Sequence, residues 1–465
     1  MRVEEIAEKA LRIVKPSKLE EKRFGRIVDE ALKTARKLAE NAPGVVDVTL
    51  EGSAAKNTWV RGRAEADIFI HFDPETSREE LEKRIVELGT ELIESLGGEP
   101  MLMYADHPYV EGIIDGVTID VVACYRVEPR KWIGATDRTP YHTRYVIEKL
   151  GPGQEDEVRL LKGFMIGCGV YGAEIKVRGF SGYLTELLTI RYGSFLDTIR
   201  AAASWKPPIV IDLEGYYESV EDVLELFRDS PLIVIDPVDR SRNVAAAVSH
   251  RRLSEFILAS KLFLKRPSLR FFRKVPGRPR ASSILKLAKN RNILYVYFKL
   301  RERKPRDVIW GELKRSEEGI AKALERLRFK VYRREAWTDE DKRCLLVFEL
   351  DKLNLPSYML HQGPPIHLRN AEDFLEKWVK RGVGPWVDDG RLYVLRKIGE
   401  TSAIKLLAKE IHGGRVSISR DLASYFRKAL IDSNLRRLFK RAGRDARLLG
   451  FLQEFLKAKP PFLRR

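Results

Sequence analysis

"GSAAKNTWVRGRAEADIFIHF", residues 52–72, sets a glycine-serine turn, a basic residue and two acids against a short apolar strand. In an extended chain residues two apart share a face, so Glu65 and Asp67 project together while Ala66, Ile68 and Ile70 turn to the core. Either acid alone reads as well as a solvated group on an edge strand. A later stretch, "VTIDVVACY" at 117–125, changes the balance. Its alternation buries Val117, Ile119 and Val121 and leaves Thr118, Asp120 and Val122 opposite, so Asp120 is the one acid inside an apolar strand. Three carboxylates converging in a low-dielectric site repel one another unless cations compensate them. Mg²⁺ suits that role because it takes hard oxygen ligands and accepts phosphate oxygens into the same shell.

The turn before the acids fits the same chemistry. "VVDVTLEG" at 45–52 alternates as a strand with Val46, Val48 and Leu50 on one face, and Gly52-Ser53 then offers backbone N–H groups and a hydroxyl to phosphate oxygens. No G-x-x-x-x-G-K-S/T loop is present, and no G-x-G-x-x-G follows the first strand, so the turn at 52–53 is neither of the common mononucleotide and dinucleotide cradles.

Around this centre the chain reads as a multidomain α+β protein. Residues 17–41 carry Ile27, Ala31, Ala35 and Leu38 on one helical face, Pro43-Gly44 ends that run, and a further helix is predicted at 77–96 before the strand-like "YVEGII". Residues 153–201 favour helices broken at glycines, "PLIVIDPVD" at 231–239 reads as a short buried strand, and residues 243–266 read as helical. The last third mixes the strands "NILYVYFKL", "KRCLLVFEL" and "GRLYVLRK" with the helical "SEEGIAKALERLRF". The expected division is a catalytic head with a mixed sheet over 1–145, a mainly helical nucleotide-binding neck over 146–265, and an α+β body and tail over 266–465.

Composition narrows the partners. The chain has 85 Lys+Arg against 67 Asp+Glu, a formal charge of +18, which points to a polyanion, with nucleic acid ahead of an anionic membrane. Three widely spaced cysteines supply neither a disulfide framework nor a zinc knuckle. No signal sequence and no run of about 18 apolar residues is present, so a soluble, cytoplasmic protein with no membrane partner is expected.

Gly52-Ser53, Lys56, Gly62, Glu65-x-Asp67 and the distal Asp120 resemble the signature of the DNA polymerase β-like nucleotidyltransferase superfamily. With "DEVRLLKGFMIGCGVYGAE", "GFSGYLTELL", "YGSF" and "DPVDRSRNVAAAVS", the chain is most similar to the archaeal, class I CCA-adding enzymes, over at least residues 20–250. The resemblance implies that Glu65, Asp67 and Asp120 hold two Mg²⁺ ions, with Asp120 nearest the RNA 3′-hydroxyl. It implies that Ser53 and Lys56 hold the triphosphate of CTP or ATP, that Lys162 and Tyr171 contact its phosphates and sugar, and that Arg242 selects the base. The partner it implies is tRNA, and a homodimer is suggested on the same ground alone. The sequence departs from the family at Ala54 and Lys56, where an aromatic residue and an arginine are usual; lysine keeps the charge but loses the planar fork.

His142 and His107 are candidate phosphate or RNA contacts, and neither has a second ligand at zinc spacing. The basic stretches at 266–280, 436–447 and 457–465 are candidate grips on tRNA, whose A-form stem is held mainly by shape and phosphate. Two other classes stay open: a poly(A) polymerase or oligoadenylate synthetase-like enzyme, and a catalytically silent RNA-binding protein. Converging acids beside a polyanion argue against the last.

Overall fold

In the computed structural model, which describes residues 2–104, 107–273 and 279–463, a helix α1 (Val3–Val14) precedes the one that the pattern at 17–41 predicts, α2 (Lys18–Ala39). Ser17 starts α2: its hydroxyl accepts from the Glu20 amide, and the Glu20 carboxylate accepts from the Ser17 amide. The chain divides into two compact units, residues 1–276 with 459–465, and residues 277–458.

The first unit continues with β1 (Val45–Glu51), a single turn α3 (Gly52–Ala55), β2 (Glu65–Phe72), α4 (Arg78–Ser95), β3 (Met101–Tyr104), β4 (Pro108–Ile114) and β5 (Val117–Tyr125). The strands form one sheet in the order β1-β2-β5-β4-β3. β2 and β5 run parallel, which requires the long crossover that α4 supplies. Ile68, Ile70, Ile119 and Val121 pack with Phe24, Ile27 and Ala31 of α2 and Leu81 and Ile85 of α4. One expectation fails at the edge: the register shifts between Val45 and Asp47, so Val46 is exposed instead of sharing the inner face with Val48.

The unit continues with α5 (Thr139–Lys149), α6 (Gln154–Cys168), α7 (Gly182–Tyr192), α8 (Phe195–Ser204), β6 (Ile209–Ile211), α9 (Val220–Leu226), β7 (Leu232–Asp236), β8 (Asp239–Asn243) and α10 (His250–Lys265). Val223 of α9 packs on Ile233 and Ile235 in a small separate cluster, while most of these elements build a second core. Phe164 lies at its centre, against Phe195, Phe256, Phe263, Phe271 and Phe272. Burying each such ring contributes about 1.5–3 kcal/mol. α1 enters this core through Ile6, Ala10 and Val14, although its sequence precedes the sheet. Phe462, near the end of the chain, also lies here, 5.8 Å from Phe271. The helix expected over 243–266 starts only at His250, capped by Ser249. The Asn243 side chain accepts from the amides of Val234 and Ala245 and donates to the Leu232 carbonyl, which holds residues 239–243 as a strand.

The second unit comprises α11 (Ala281–Ala288), β9 (Asn292–Lys299), α12 (Arg306–Arg326), β10 (Val331–Thr338), β11 (Arg343–Leu350), β12 (Tyr358–Pro365), α13 (Asn370–Trp378), β13 (Gly382–Asp388), β14 (Arg391–Lys397), α14 (Ala403–His412), α15 (Ala423–Phe426), β15 (Leu430–Asp432), α16 (Leu435–Ala442) and α17 (Ala446–Lys457). Its main sheet, β10-β11-β9-β15, is covered on both faces. β9 sends Leu294, Val296 and Phe298 to one core and Ile293, Tyr295 and Tyr297 to the other, which is why the segment reads as a continuous apolar run. A separate sheet joins β12, β14 and β13. The basic stretch at 436–447 is not one helix: it breaks at Gly443, whose φ is +90°, between α16 and α17. Of the stretches at 266–280 and 457–465, residues 274–278 and 464–465 lie outside the described residues.

Candidate active site

The sheet register brings the sequence-predicted acids together. Asp67 of β2 stands opposite Asp120 of β5, with Glu51 of β1 beyond Asp67 and Glu111 of β4 beyond Asp120. Cross-strand partners point to one face, so a rung of four carboxyl groups crosses the sheet, and Glu65 joins the same face two residues earlier on β2. Asp120 is buried and its Oδ1 has no hydrogen-bond partner. Burial, followed by the charge of Asp67, pushes the Asp120 carboxyl up to about 9. Burial and the charge of Glu65 push Asp67 up to about 7, while Lys56 and Lys162 act in the opposite direction. Glu65, at the start of β2, is also raised, first by desolvation on that face of the sheet and then by the charge of Glu111.

Gly52 is indispensable to this arrangement. Its φ is +67°, and a Cβ there would lie 1.8 Å from Asp67 Oδ2. The turn therefore closes directly onto the carboxylate only because residue 52 lacks a side chain. An unpartnered buried carboxylate oxygen, neighbouring acids with raised pKa values and an all-oxygen donor set fit a divalent cation. Among the described residues no three Asp, Glu, His or Cys side chains are already closed into a ligand cage, so the acids stand side by side across the strands.

On the neighbouring helices the balance of charge is reversed. Lys56, following α3, places Nζ 2.6 Å from Glu186 Oε2, and Lys162 of α6 places Nζ 2.9 Å from Oε1 of the same carboxylate. The Thr58 hydroxyl donates to Glu186 Oε1 at 2.7 Å and accepts from Lys162 at 3.0 Å. Burial alone would raise the Glu186 pKa, but Lys162 and Lys56 outweigh it and hold the carboxyl at about 2. Tyr171 belongs to this side: a Cβ built on Gly182 would lie 3.1 Å from the Tyr171 hydroxyl and 3.7 Å from Lys162 Nζ. The loop carrying Lys56 is pinned to α6 by buried Arg159, which donates to the Trp59 carbonyl at 3.1 Å and to Asn57 Oδ1 at 2.6 Å. Ser53 sits in α3, and its carbonyl accepts from the Thr58 amide at 2.9 Å.

A third cluster surrounds Asp236, at the end of β7. It accepts from His142 Nε2 at 2.8 Å, Arg242 Nη1 at 2.7 Å, the Tyr183 hydroxyl at 3.3 Å and the Val238 amide at 3.1 Å. Burial opposes ionisation of Asp236, but the hydrogen bond from His142 and the charge of Arg242 hold its carboxyl below the usual range, while burial pulls the His142 imidazole down. His142 also stacks on Tyr183 with ring centroids 4.1 Å apart. Arg242 remains 38% exposed at its side chain, so its guanidinium is both anchored and accessible. His107 is not in this group; its Nε2 lies 3.0 Å from the Thr136 hydroxyl.

The sequence had not singled out Glu186, Thr58, Tyr183 or Arg159. Glu186 carried a signal, being a lone acid in the apolar helix "YLTELLTI". Arg159 looked like any charged residue of a helix, and only its burial distinguishes it.

A parallel strand pair bearing acids behind a glycine-serine turn defines a nucleotidyltransferase. The Nucleotidyltransferase domain family matches residues 31–142. Two further families match the rest: "tRNA nucleotidyltransferase, second domain" at 156–273 and "CCA-adding enzyme, C-terminal domain" at 290–431. The chain is 37% identical over 435 residues to the CCA-adding enzyme of Pyrobaculum islandicum, covering 93% of this chain and 98% of that one. It is 38% identical over 399 residues to the CCA-adding enzyme of Methanothermobacter thermautotrophicus, covering 85% and 86% of the two chains. A third CCA-adding enzyme, from Saccharolobus shibatae, is 36% identical over 437 residues, 94% of this chain and 98% of its own. The chain belongs to the CCA-adding enzyme family.

Proposed function

We propose that this enzyme adds C, C and A in turn to the 3′ end of tRNA, using CTP and ATP, without a nucleic-acid template and with release of pyrophosphate. The observation that carries the reading is the rung that sets Asp120, with an unpartnered buried oxygen, beside Asp67 and next to the Gly52 turn. Glu65, Asp67 and Asp120 would hold two Mg²⁺ ions, which when bound lower the pKa of the RNA 3′-hydroxyl and neutralise charge on the leaving pyrophosphate. Ser53, Lys56, Lys162 and Tyr171 bind and orient the triphosphate. Arg242, braced on Asp236 with His142, presents a planar fork to the Watson–Crick edge of the incoming base.

The tRNA is gripped mainly through phosphate. A recess of about 1000 Å³ in the second unit is lined by Lys299, Arg301, Lys428, Arg437, Lys440 and Arg441 with Tyr297 and Tyr425. Cations interleaved with aromatic rings suit an RNA backbone and its unstacked bases. Among the described residues no helix is long and apolar enough to cross a membrane, and the reaction belongs with cytoplasmic tRNA. Pairing of two chains rests on the family resemblance and is tested by sedimentation.

The deciding experiment incubates the enzyme with a tRNA transcript lacking its 3′ CCA, Mg²⁺, and CTP and ATP separately and together, then sequences the product ends. The expected products are CC with CTP alone and CCA with both. Homopolymeric A from ATP alone would instead identify a poly(A) polymerase.

A further inference from the structure

We propose that Glu186 is a positioning residue for nucleotide binding, a shared counter-ion that sets Lys56 and Lys162 in place for the triphosphate. The inference rests on the reading that those two lysines hold the triphosphate, and it adds a residue that touches neither substrate nor metal ligand.

The geometry is specific. Lys56 lies in the loop after α3 and Lys162 on α6, and their ammonium groups reach opposite oxygens of the one Glu186 carboxylate, supplied by α7. All three side chains are buried. An ammonium has three N–H donors. Lys162 directs its donors at Glu186 Oε1, the Thr58 hydroxyl and, at 3.3 Å, the Thr58 carbonyl. Among the described residues the Lys56 ammonium has one hydrogen-bond partner, Glu186, and lies 5.8 Å from the Tyr183 ring centroid. Two of its N–H groups are therefore left for a further acceptor.

Charge counting leads the same way. Two buried cations share the Glu186 carboxylate, and their remaining positive charge acts on the sheet acids Asp67 and Glu65, so it is available to a further anion once a divalent cation occupies those acids. A role confined to packing would be met by one cation and one anion, or by apolar groups of the same volume. Glu186 thus holds two amines close together without neutralising both. It also ties the loop behind the Gly52-Ser53 turn to helices α6 and α7, which fixes the lysines relative to Asp67. Without it the amines repel, the pair spreads, and the triphosphate meets two mobile cations in place of a set pair.

The test compares Glu186→Gln, Thr58→Val, Lys56→Met and Lys162→Met in the full-length enzyme. It measures KM and kcat for CTP and ATP, competitive inhibition by inorganic triphosphate, and tRNA affinity. Glu186→Gln is expected to raise KM for both nucleotides and Ki for triphosphate in parallel by about tenfold, with kcat and tRNA affinity within about twofold. Thr58→Val keeps all three charges, so it reports even where Glu186→Gln fails to fold, and the same pattern is expected at about threefold. Unchanged or lowered KM and Ki in Glu186→Gln, with both lysine variants raising them, would overturn this inference alone. Parallel loss of tRNA affinity and kcat would make Glu186 structural and overturn it too. Lysine variants that leave KM and Ki unchanged would overturn the underlying assignment, and this inference with it.

Discussion

Two groups of carboxylates in the first unit face opposite electrostatic circumstances. On the sheet, Asp67 and Asp120 neighbour other acids, and their carboxyls rise to about 7 and about 9. On helix α7, Glu186 is buried more deeply still but receives two ammonium groups, and its carboxyl is held at about 2. The most deeply buried acid is the one that stays ionised, because counter-charge, not burial, decides the outcome. The lysine side supplies its own anion; the acid side is short of cations, as a site for divalent metal should be.

The largest effect expected from breaking this contrast is on its acid side. Asp67→Ala should lower nucleotide incorporation by about 10²–10³-fold or more while tRNA binding, measured by filter retention, stays unchanged. Arg242→Lys keeps the positive charge next to Asp236 but removes the fork. KM for CTP and ATP should rise about tenfold, and sequencing of product ends should find more U and G. The smallest effect is expected in the second unit. Arg437→Gln and Lys440→Gln, in the basic recess, should each weaken tRNA binding a few-fold and flatten its salt dependence by about one unit of slope.

Much of this was readable beforehand for a definite physical reason. Strand alternation alone places Glu65 with Asp67, and Asp120 opposite its apolar neighbours, because side-chain direction in a strand has a period of two. That β2 and β5 are adjacent and parallel, with Asp67 level with Asp120, depends on long-range pairing; the resemblance grouped the three acids but not this register. The same limit explains the errors. Alternation carried through a bulge turns Val46 inward, and alanine propensity extends a helix over residues 243–249 because it ignores the hydrogen bonds of Asn243. Glu186 was passed over because its partners lie 130 and 24 residues away in sequence. The Asp236 cluster was half visible: a bond from Arg242 to a nearby acid was open to local reading, whereas the approach of His142 and Tyr183 came from other helices.

The contrast between the two sides is tested most directly by melting the full-length enzyme in EDTA and in Mg²⁺ from pH 6 to pH 9. Folded Asp67 and Asp120 keep protons that the unfolded chain has lost above about pH 4. The stabilisation they give below that pH is therefore lost as pH rises toward about 7 and about 9, and the metal-free Tm should fall. Mg²⁺ should restore it, with a larger gain at pH 9 than at pH 6, and in Asp120→Asn both the fall and the gain should shrink. A Mg²⁺ gain that is the same at every pH, or an Asp120→Asn variant that melts like the unaltered enzyme in EDTA, would contradict the account.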